Sequence, residues 1–301
     1  MLGSLHDADD ALQDALLRAW RGLHRFEGRS AISSWLYRIA TNSCLDAIAK
    51  RPKRLLPVDY GPPADPAEHS EELLSDVAWI EPYPDTQLRL EDGFAGTEAR
   101  YEEREGVELA FIAALQHLPP RQRATLILRD VLCFSAREVA EALDTTVPAI
   151  NSALQRARNA LAERLPQRSQ QATARALGDE AVREVVSRFT SAFEQGDVDA
   201  ILALLTDDVT FSMPPSSDWC RGRDAVADSW LMPGGPPPRL RYATTSANGQ
   251  PAVGTFQKDP GGTAYRAIAL DVLALRGHRI AEIIAFRTPE IFPRFGLPLQ
   301  L

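Results

Sequence analysis

Residues 7–24, DADDALQDALLRAWRGLH, place Ala11, Leu12, Ala15, Leu16, Ala19, Trp20 and Leu23 at three- and four-residue intervals. That period predicts an amphipathic helix, with Asp7 or Asp9 able to cap its start. After FEGRS, where Gly28 breaks the pattern, SAISSWLYRIATNSCLDAIAKR predicts a second helix closed by Pro52. The two form a helical domain ending near residue 54. The helical period returns from Glu105 in VELAFIAALQHL, and after Pro119-Pro120 in PPRQRATLILRDVL. Two more helices follow over 134–161, FSAREVAEALDTTVPAINSALQRARNAL, and the four short helices make a second compact domain over 106–165.

The remaining segments read differently. Residues 55–105 carry Pro57, Pro62, Pro63, Pro66, Pro82 and Pro84 among many acids and have little period, which predicts a linker. AWIEPYPD at 78–85 is an apolar island in it. Residues 166–178, PQRSQQATARALG, are small and polar and predict a second linker. From 179 the chain offers two helices separated by Gly196-Asp197. The strand-like runs RLRYATTSA, AVGTFQK, AYRAIALDVLALRG and RIAEIIAFR come after them. Helices first and antiparallel strands afterwards imply an α+β domain over 179–301.

Composition narrows the classes. The chain of 301 residues, 45% of them hydrophobic, is long enough for two or three cores. It has no apolar run of membrane-spanning length and no basic-then-apolar leader, so a cytoplasmic location is expected and no membrane partner. Cys44, Cys133 and Cys220 are far apart, without CxxC spacing or a nearby His pair, and read as reduced thiols rather than metal ligands. A net charge of −8 argues against holding nucleic acid by bulk electrostatics. Its distribution changes that picture: Arg18 to Arg54 is rich in Arg and Lys, while Asp59 to Glu105 is dominated by acids. Such a chain binds DNA weakly alone and needs a partner.

The 134–161 stretch has the outline of a helix-turn-helix, whose second helix presents polar residues to base edges in the major groove. Ala140, Leu143, Val147, Ile150 and Leu154 have the spacing to pack its two helices together. Asn151, Ser152 and Gln155 are then left outside, with Arg156 and Arg158 placed towards phosphates. Asn and Gln pair bidentately with adenine, whereas peripheral Arg fixes register. The bland alternative is a helical hairpin with a solvated face.

HDADDALQDALLRAWRGLHRFEGRSAISSWLYRIATNSCLDAIAKR resembles region 2 of an extracytoplasmic-function sigma factor. LQHLPPRQRATLILRDVLCFSAREVAEALDTTVPAINSALQRARNALAERL resembles region 4, in the expected order. WIEPYPD and the tail are similar to the sigma-factor G-like subgroup, whose members carry a SnoaL-like domain of the nuclear-transport-factor-2-like superfamily. The resemblance spans nearly the whole chain, most strongly 6–54 and 106–165. It implies an all-α region 2, an all-α helix-turn-helix region 4 and a cone-shaped α+β tail. It also implies a non-enzymatic initiation factor, without cofactor or metal, that binds core RNA polymerase through the β′ clamp helices and β flap, and binds promoter DNA.

On residues, the resemblance implies polymerase contacts at Asp10, Gln13, Asp14, Leu17, Arg18 and Trp20. It implies minus-10 capture by Phe26, Arg29, Trp35, Tyr37, Arg38 and Asn42, and minus-35 reading by Asn151, Ser152, Gln155, Arg156 and Arg158. Unstacked bases need aromatic and amide partners, and a displaced strand needs cations. Trp35 and Tyr37 are equally core candidates. The family usually carries one more helix ahead of MLGSLHD, so either the start is assigned late or part of region 2.1 is lacking, and Leu16 and Leu36 are expected to be short of cover.

In the tail, AYRAIALDVLAL puts Tyr265, Ala267, Ala269, Asp271 and Leu273 on one face. Asp271 is a candidate cavity carboxylate, with Trp219, Tyr265 and His278 near it; the alternative is an ion pair with Arg239, Arg241 or Arg266. A regulatory role, through a small-molecule ligand or a protein regulator, is preferred to catalysis. Trp79, Pro82, Tyr83, Pro84 and Asp85 are expected to dock on the tail, helped by FPRFGLPLQL at 292–301. Two readings from other classes stand beside this one. A ligand-responsive helix-turn-helix regulator would act without core polymerase. A DNA reader fused to a small isomerase or cyclase would lose turnover on Asp271→Asn.

Overall fold

The computed structural model describes residues 1–28, 31–64, 74, 76–87, 108–230 and 239–301. Most of the acidic linker and Arg29 lie outside the described residues. The chain divides into two units. The first holds Met1–Leu55, Ala78–Glu81 and the helices up to Gln167; the second holds Leu56–Val77, Pro82–Ala95 and Arg168–Leu301.

In the first unit, helix α1 (Leu5–Gly22) is capped by Ser4, whose hydroxyl accepts from the Asp7 amide, and α2 (Ile32–Lys50) packs along it. The face of α1 that is buried is Leu5, Asp7, Ala11, Ala15 and Ala19. The larger apolar residues expected there, Leu12, Leu16, Trp20 and Leu23, are exposed. A stripe of alanines lets two helices approach closely, which turns the long side chains outward. Leu16 and Leu36 are 57% and 40% exposed.

Helices α4 (Leu109–Gln116), α5 (Pro120–Leu126, running on through a π turn over Ile127–Val131), α6 (Ala136–Ala142) and α7 (Val147–Ala162) follow. Leu115, Leu126, Leu154 and Leu161 share one apolar cluster. Ala124, Val139, Leu143 and Ile150 share another, against which Leu45 of α2 also packs. Arg123 is 4% exposed and has no carboxylate partner among the described residues. Its guanidinium donates to the Gln116 amide oxygen at 2.7 Å and to the Gln116 and Leu118 carbonyls, bracing the α4–α5 turn. Burial pushes its pKa down to about 10.

The second unit opens with α3 (Pro57–Tyr60) and contains α8 (Gln170–Leu177), α9 (Asp179–Gln195), α10 (Val198–Leu204) and α11 (Arg223–Trp230). Its strands are β1 (Leu205–Ser212), β2 (Trp219–Arg221), β3 (Leu240–Ala247), β4 (Gln250–Lys258), β5 (Tyr265–Arg276) and β6 (Arg279–Phe286). They form one sheet in the order β2-β1-β6-β5-β4-β3, antiparallel except for the β1–β6 pair. Asn248-Gly249 turns β3 into β4 with φ of +56° and +67°, the left-handed pair that a two-residue hairpin requires.

Helix α8 falls where the sequence predicts a linker. Its composition is polar, but Ser169 caps it and Thr173 is buried. The Gln170 amide bonds both the carbonyl and the amide of Leu275, at 3.2 and 2.6 Å, so tertiary hydrogen bonds replace an apolar stripe. One face of the sheet meets Val185, Phe189 and Leu204. On β4, Gly254 lies under the C-terminal segment: a Cβ there would stand 2.6 Å from Leu297 Cδ1 and 2.9 Å from a Phe292 ring carbon. The last residues return to β5, with Leu301 exchanging both backbone hydrogen bonds with Tyr265.

Candidate nucleic-acid interface

Helix α6 starts with a full capping box between Ser135 and Glu138, and α7 is capped by Thr146 with Pro148 in its first turn. Between them Asp144 takes φ +51° and the Thr145 amide reaches the Ala140 carbonyl, which makes the sharp turn. Ala140, Leu143, Ile150 and Leu154 are buried as expected, whereas Val147, at the helix start, is 38% exposed. Asn151, Ser152, Gln155, Arg156 and Arg158 are all exposed. They are not equally available. The Arg158 guanidinium is held bidentately by Asp130 at 2.7 and 2.9 Å, which also raises its pKa. Gln155 donates to Asn159 at 2.9 Å, and Asn159, exposed one turn beyond Gln155, extends the polar stripe. The sequence reading missed Asn159, although its four-residue spacing from Gln155 was visible.

Trp35 and Asn42 come together with Arg18, Gly22, Arg25 and Ile39 around a cavity of about 300 Å³ between α1 and α2. Phe26 packs on Trp35 with ring centroids 5.2 Å apart, and a Cβ at Gly22 would sit 3.3 Å from the indole, so the glycine admits the ring. An aromatic wall, an amide and two guanidinium groups are what an unstacked base beside a phosphate needs. Tyr37 is not part of this set; its ring meets Phe134 edge-on at 5.1 Å. Arg38 is exposed, and Arg29 lies outside the described residues. Among the residues expected to face polymerase, Gln13, Leu17 and Trp20 are exposed, Trp20 at 78%. Asp10 pairs with Arg51. Arg18 bridges Asp14 and Asp46 at 2.8 Å each and also lines the cavity.

The WIEPYPD island divides between the units. Trp79, 8% exposed, and Ile80, 1% exposed, belong to the first, where the Ile80 amide bonds the Leu55 carbonyl and the Glu81 amide bonds Gly3. Arg54 donates to the Trp79 carbonyl, to Glu81 and to Asp7. Pro82, Tyr83, Pro84 and Asp85 belong to the second. There Tyr83 exchanges hydrogen bonds with Asn248, and Asp85 accepts from the Gly249 amide at 2.8 Å. The backbone of Trp79 is held by Arg54 and lies beside Leu55 in the first unit, whereas Tyr83 and Asp85 bond the β3–β4 turn of the second.

In the tail, Asp271 is 8% exposed and accepts from the Thr255 hydroxyl at 2.6 Å. The other expected members of its site lie elsewhere. Trp219 donates its indole N–H to the Gly61 carbonyl, and Tyr265 lies under Arg241 at 4.9 Å. His278 is in the exposed β5–β6 turn. Arg266 pairs with Asp259, so the alternative ion pair to Asp271 is not formed by it. The group that faces Asp271 is Tyr242, whose phenol pKa is pushed up by burial and by the charges of Asp271 and Glu194.

Burial pushes the Asp271 carboxyl up to about 7, against the opposing pull of the Thr255 hydrogen bond. Below the unfolded carboxylate value both states hold the proton and the group contributes nothing. Between roughly pH 4 and 7 the folded state binds more protons than the unfolded one, so stability falls as pH rises, and levels off above 7. The loss is at most about 4 kcal/mol. Asp271→Asn is therefore expected to stabilise the full chain at pH 8 relative to the wild type, and to do so less at pH 5. Denaturant midpoints at the two values check this; an equal difference at both would refute a raised pKa.

Three family models match this chain: Sigma-70 region 2 over residues 1–54, Sigma-70 region 4 over 108–161, and a SnoaL-like domain over 186–283. The ECF RNA polymerase sigma factor SigG of Mycobacterium tuberculosis is 40% identical over 305 residues, covering 100% of this chain and 80% of SigG. SigJ of the same organism is 27% identical over 100% of this chain and 89% of its own. The crystal structure of M. tuberculosis SigJ has the same fold, with a TM-score of 0.57 at 22% identity over 99% of this chain and 92% of that one. The chain belongs to the ECF RNA polymerase sigma factors, with a C-terminal SnoaL-like domain. Among the described residues, no helix is long and apolar enough to cross a membrane and no group of His, Cys, Asp or Glu is placed to hold a metal ion.

Proposed function

We propose that this chain binds core RNA polymerase through the exposed face of α1 around Gln13, Leu17 and Trp20. It then directs initiation at promoters read by two separate elements, α7 at minus-35 and the α1–α2 cavity at minus-10. The observation that carries the reading is the pairing, in one chain, of an exposed Asn151/Gln155/Arg156 stripe with a base-sized cavity lined by Trp35, Asn42, Arg18 and Arg25. The negative overall charge supports it: two modest contacts, joined in one molecule and supplemented by polymerase, give specificity that neither has alone. The SnoaL-like domain serves regulation rather than catalysis, and the segment 78–85, with one half in each unit, is the element through which it acts.

Transcription in vitro with bacterial core polymerase on a fragment library tests this. Promoter-specific transcripts that require the chain are expected, and a double substitution of Trp79 and Tyr83 by Ala is expected to change their yield. Tight, specific DNA binding by the chain alone, with no transcripts in any combination, would favour a polymerase-independent regulator instead.

A further inference from the structure

We propose that the first unit binds a compact phosphate-bearing anion in a cavity where the end of α2 meets the α4–α5 turn. The cavity holds about 250 Å³, several times the ~30 Å³ share of a water molecule. Ile48, Arg51 and Lys53 line it from α2 and the residues after it, Leu118 and Arg123 from the α4–α5 turn and α5, and Asp7 from α1. Asp7, the carboxylate of this lining, is taken by Arg51 and Arg54. Those two cations have further acidic partners in Asp10 and Glu81. Arg123 has none among the described residues. Its terminal nitrogens donate to the Met1, Gln116 and Leu118 carbonyls and to the Gln116 amide oxygen, all uncharged. Its Nε is shielded from solvent and unbonded. A buried cation whose partners are all neutral is costly, and an anion beside it offsets that cost.

Arg123 supplies charge, and the donors come from the end of α2. Arg51 gives two nitrogens to Asp7 and Asp10 and keeps its Nε–H. Lys53 is an exposed ammonium 2.8 Å from His117 Nδ1. Cations on different elements suit a phosphoryl group, whose tetrahedral oxygens face several sides, better than a carboxylate with two oxygens in one plane. The volume excludes a nucleic-acid strand, and Ile48 and Leu118 offer apolar surface to a small organic body, so the source is pyrophosphate or a small phosphate ester. Because its lining comes from both α2 and the α4–α5 turn, the anion joins the two parts that carry the minus-10 and minus-35 readers. Tyr37 and Leu45 of α2 already pack on Phe134 and its cluster. Elements about 25 base pairs apart lie roughly 85 Å apart on B-DNA. A folded unit of this size is on the order of 40 Å across. The two parts must separate to read one promoter, and a ligand that joins them opposes this. That consequence rests on the function proposed above; the binding does not.

The test is calorimetric titration of the full chain with pyrophosphate, glycerol 2-phosphate and inorganic phosphate, at an ionic strength held constant with chloride. Saturable binding of pyrophosphate or of the ester below millimolar concentration is expected, tighter than that of phosphate, and the tighter of the two names the source. Lys53→Ala, at an exposed position that leaves the fold intact, is expected to weaken it about tenfold, the worth of one charged hydrogen bond. Arg123→Met should weaken it at least as much; should that variant fail to fold, Lys53→Ala decides alone. Hydrogen exchange is expected to slow on binding at both the Ile48 and the Leu118 amides. Absence of saturation, unchanged affinity in Lys53→Ala, or protection confined to one of the two amides would overturn the proposal. If the anion binds as expected yet leaves the affinity of the chain for core polymerase unchanged, the site stands and its role in holding the two reading parts together falls.

Discussion

Asn151→Ala is expected to lower transcription from a preferred promoter by tenfold or more and to relax preference at one base pair. A lost bidentate contact to a base costs about 1–3 kcal/mol of discrimination. Arg156→Ala should act differently. Its exposed guanidinium is placed for a phosphate, so its loss should weaken all promoters alike and reduce the salt dependence of binding by about one ion. Arg158→Ala should have a smaller effect than Arg156→Ala, because reaching DNA requires it to leave Asp130. Selection from a randomised minus-35 library, with each variant in complex with core polymerase, reads all three. If Asn151→Ala and Arg156→Ala give identical preferences and differ only in yield, α7 does not read bases.

Arg54→Ala is expected to destabilise the first unit by about 3–5 kcal/mol, the range for breaking one side of a largely buried ion pair. Arg54 and Asp7 side chains are 16% and 9% exposed, and the same guanidinium holds Glu81 and the Trp79 carbonyl. Its removal leaves Asp7 with Arg51 alone and frees the 78–81 segment. Arg51→Ala, at a site 40% exposed, should cost much less. Denaturant unfolding gives the stability change, and hydrogen exchange at the Ile80 and Glu81 amides shows whether their bonds to Leu55 and Gly3 open first. Unaltered protection of those two amides in Arg54→Ala would show that the guanidinium is not what holds the segment.

The helix-turn-helix was legible because its signals are local. Ser135 and Thr146 are caps, Ala140, Leu143, Ile150 and Leu154 repeat at helical spacing, and the polar stripe is what that spacing leaves outside. Of the residues expected at minus-10, Trp35 and Asn42 share a cavity, while Tyr37, two residues from Trp35, turns to Phe134, a partition that spacing along one helix does not reveal. Helix α8 was missed because a tertiary bond from Gln170 to Leu275 stands in for the periodicity that single-sequence reading relies on. The burial of Asp271 was readable from its apolar strand, but its partners were misassigned: a bulge between Ala267 and Ala269 turns Tyr265 to the other face of the sheet, while Tyr242 and Thr255 belong to neighbouring strands.

What the sequence determined by itself was the family, most of the elements and the polar stripe of α7, because caps and periodicity follow from backbone geometry within a few residues. Only the tertiary structure decided the partners: Arg158 with Asp130, Arg54 with Asp7, Tyr242 opposite Thr255, and the division of WIEPYPD between Glu81 and Pro82. Side chains of the same type compete for each such partner over tens to hundreds of residues. Packing, which chooses among them, has no counterpart in the spacing of residues along the chain.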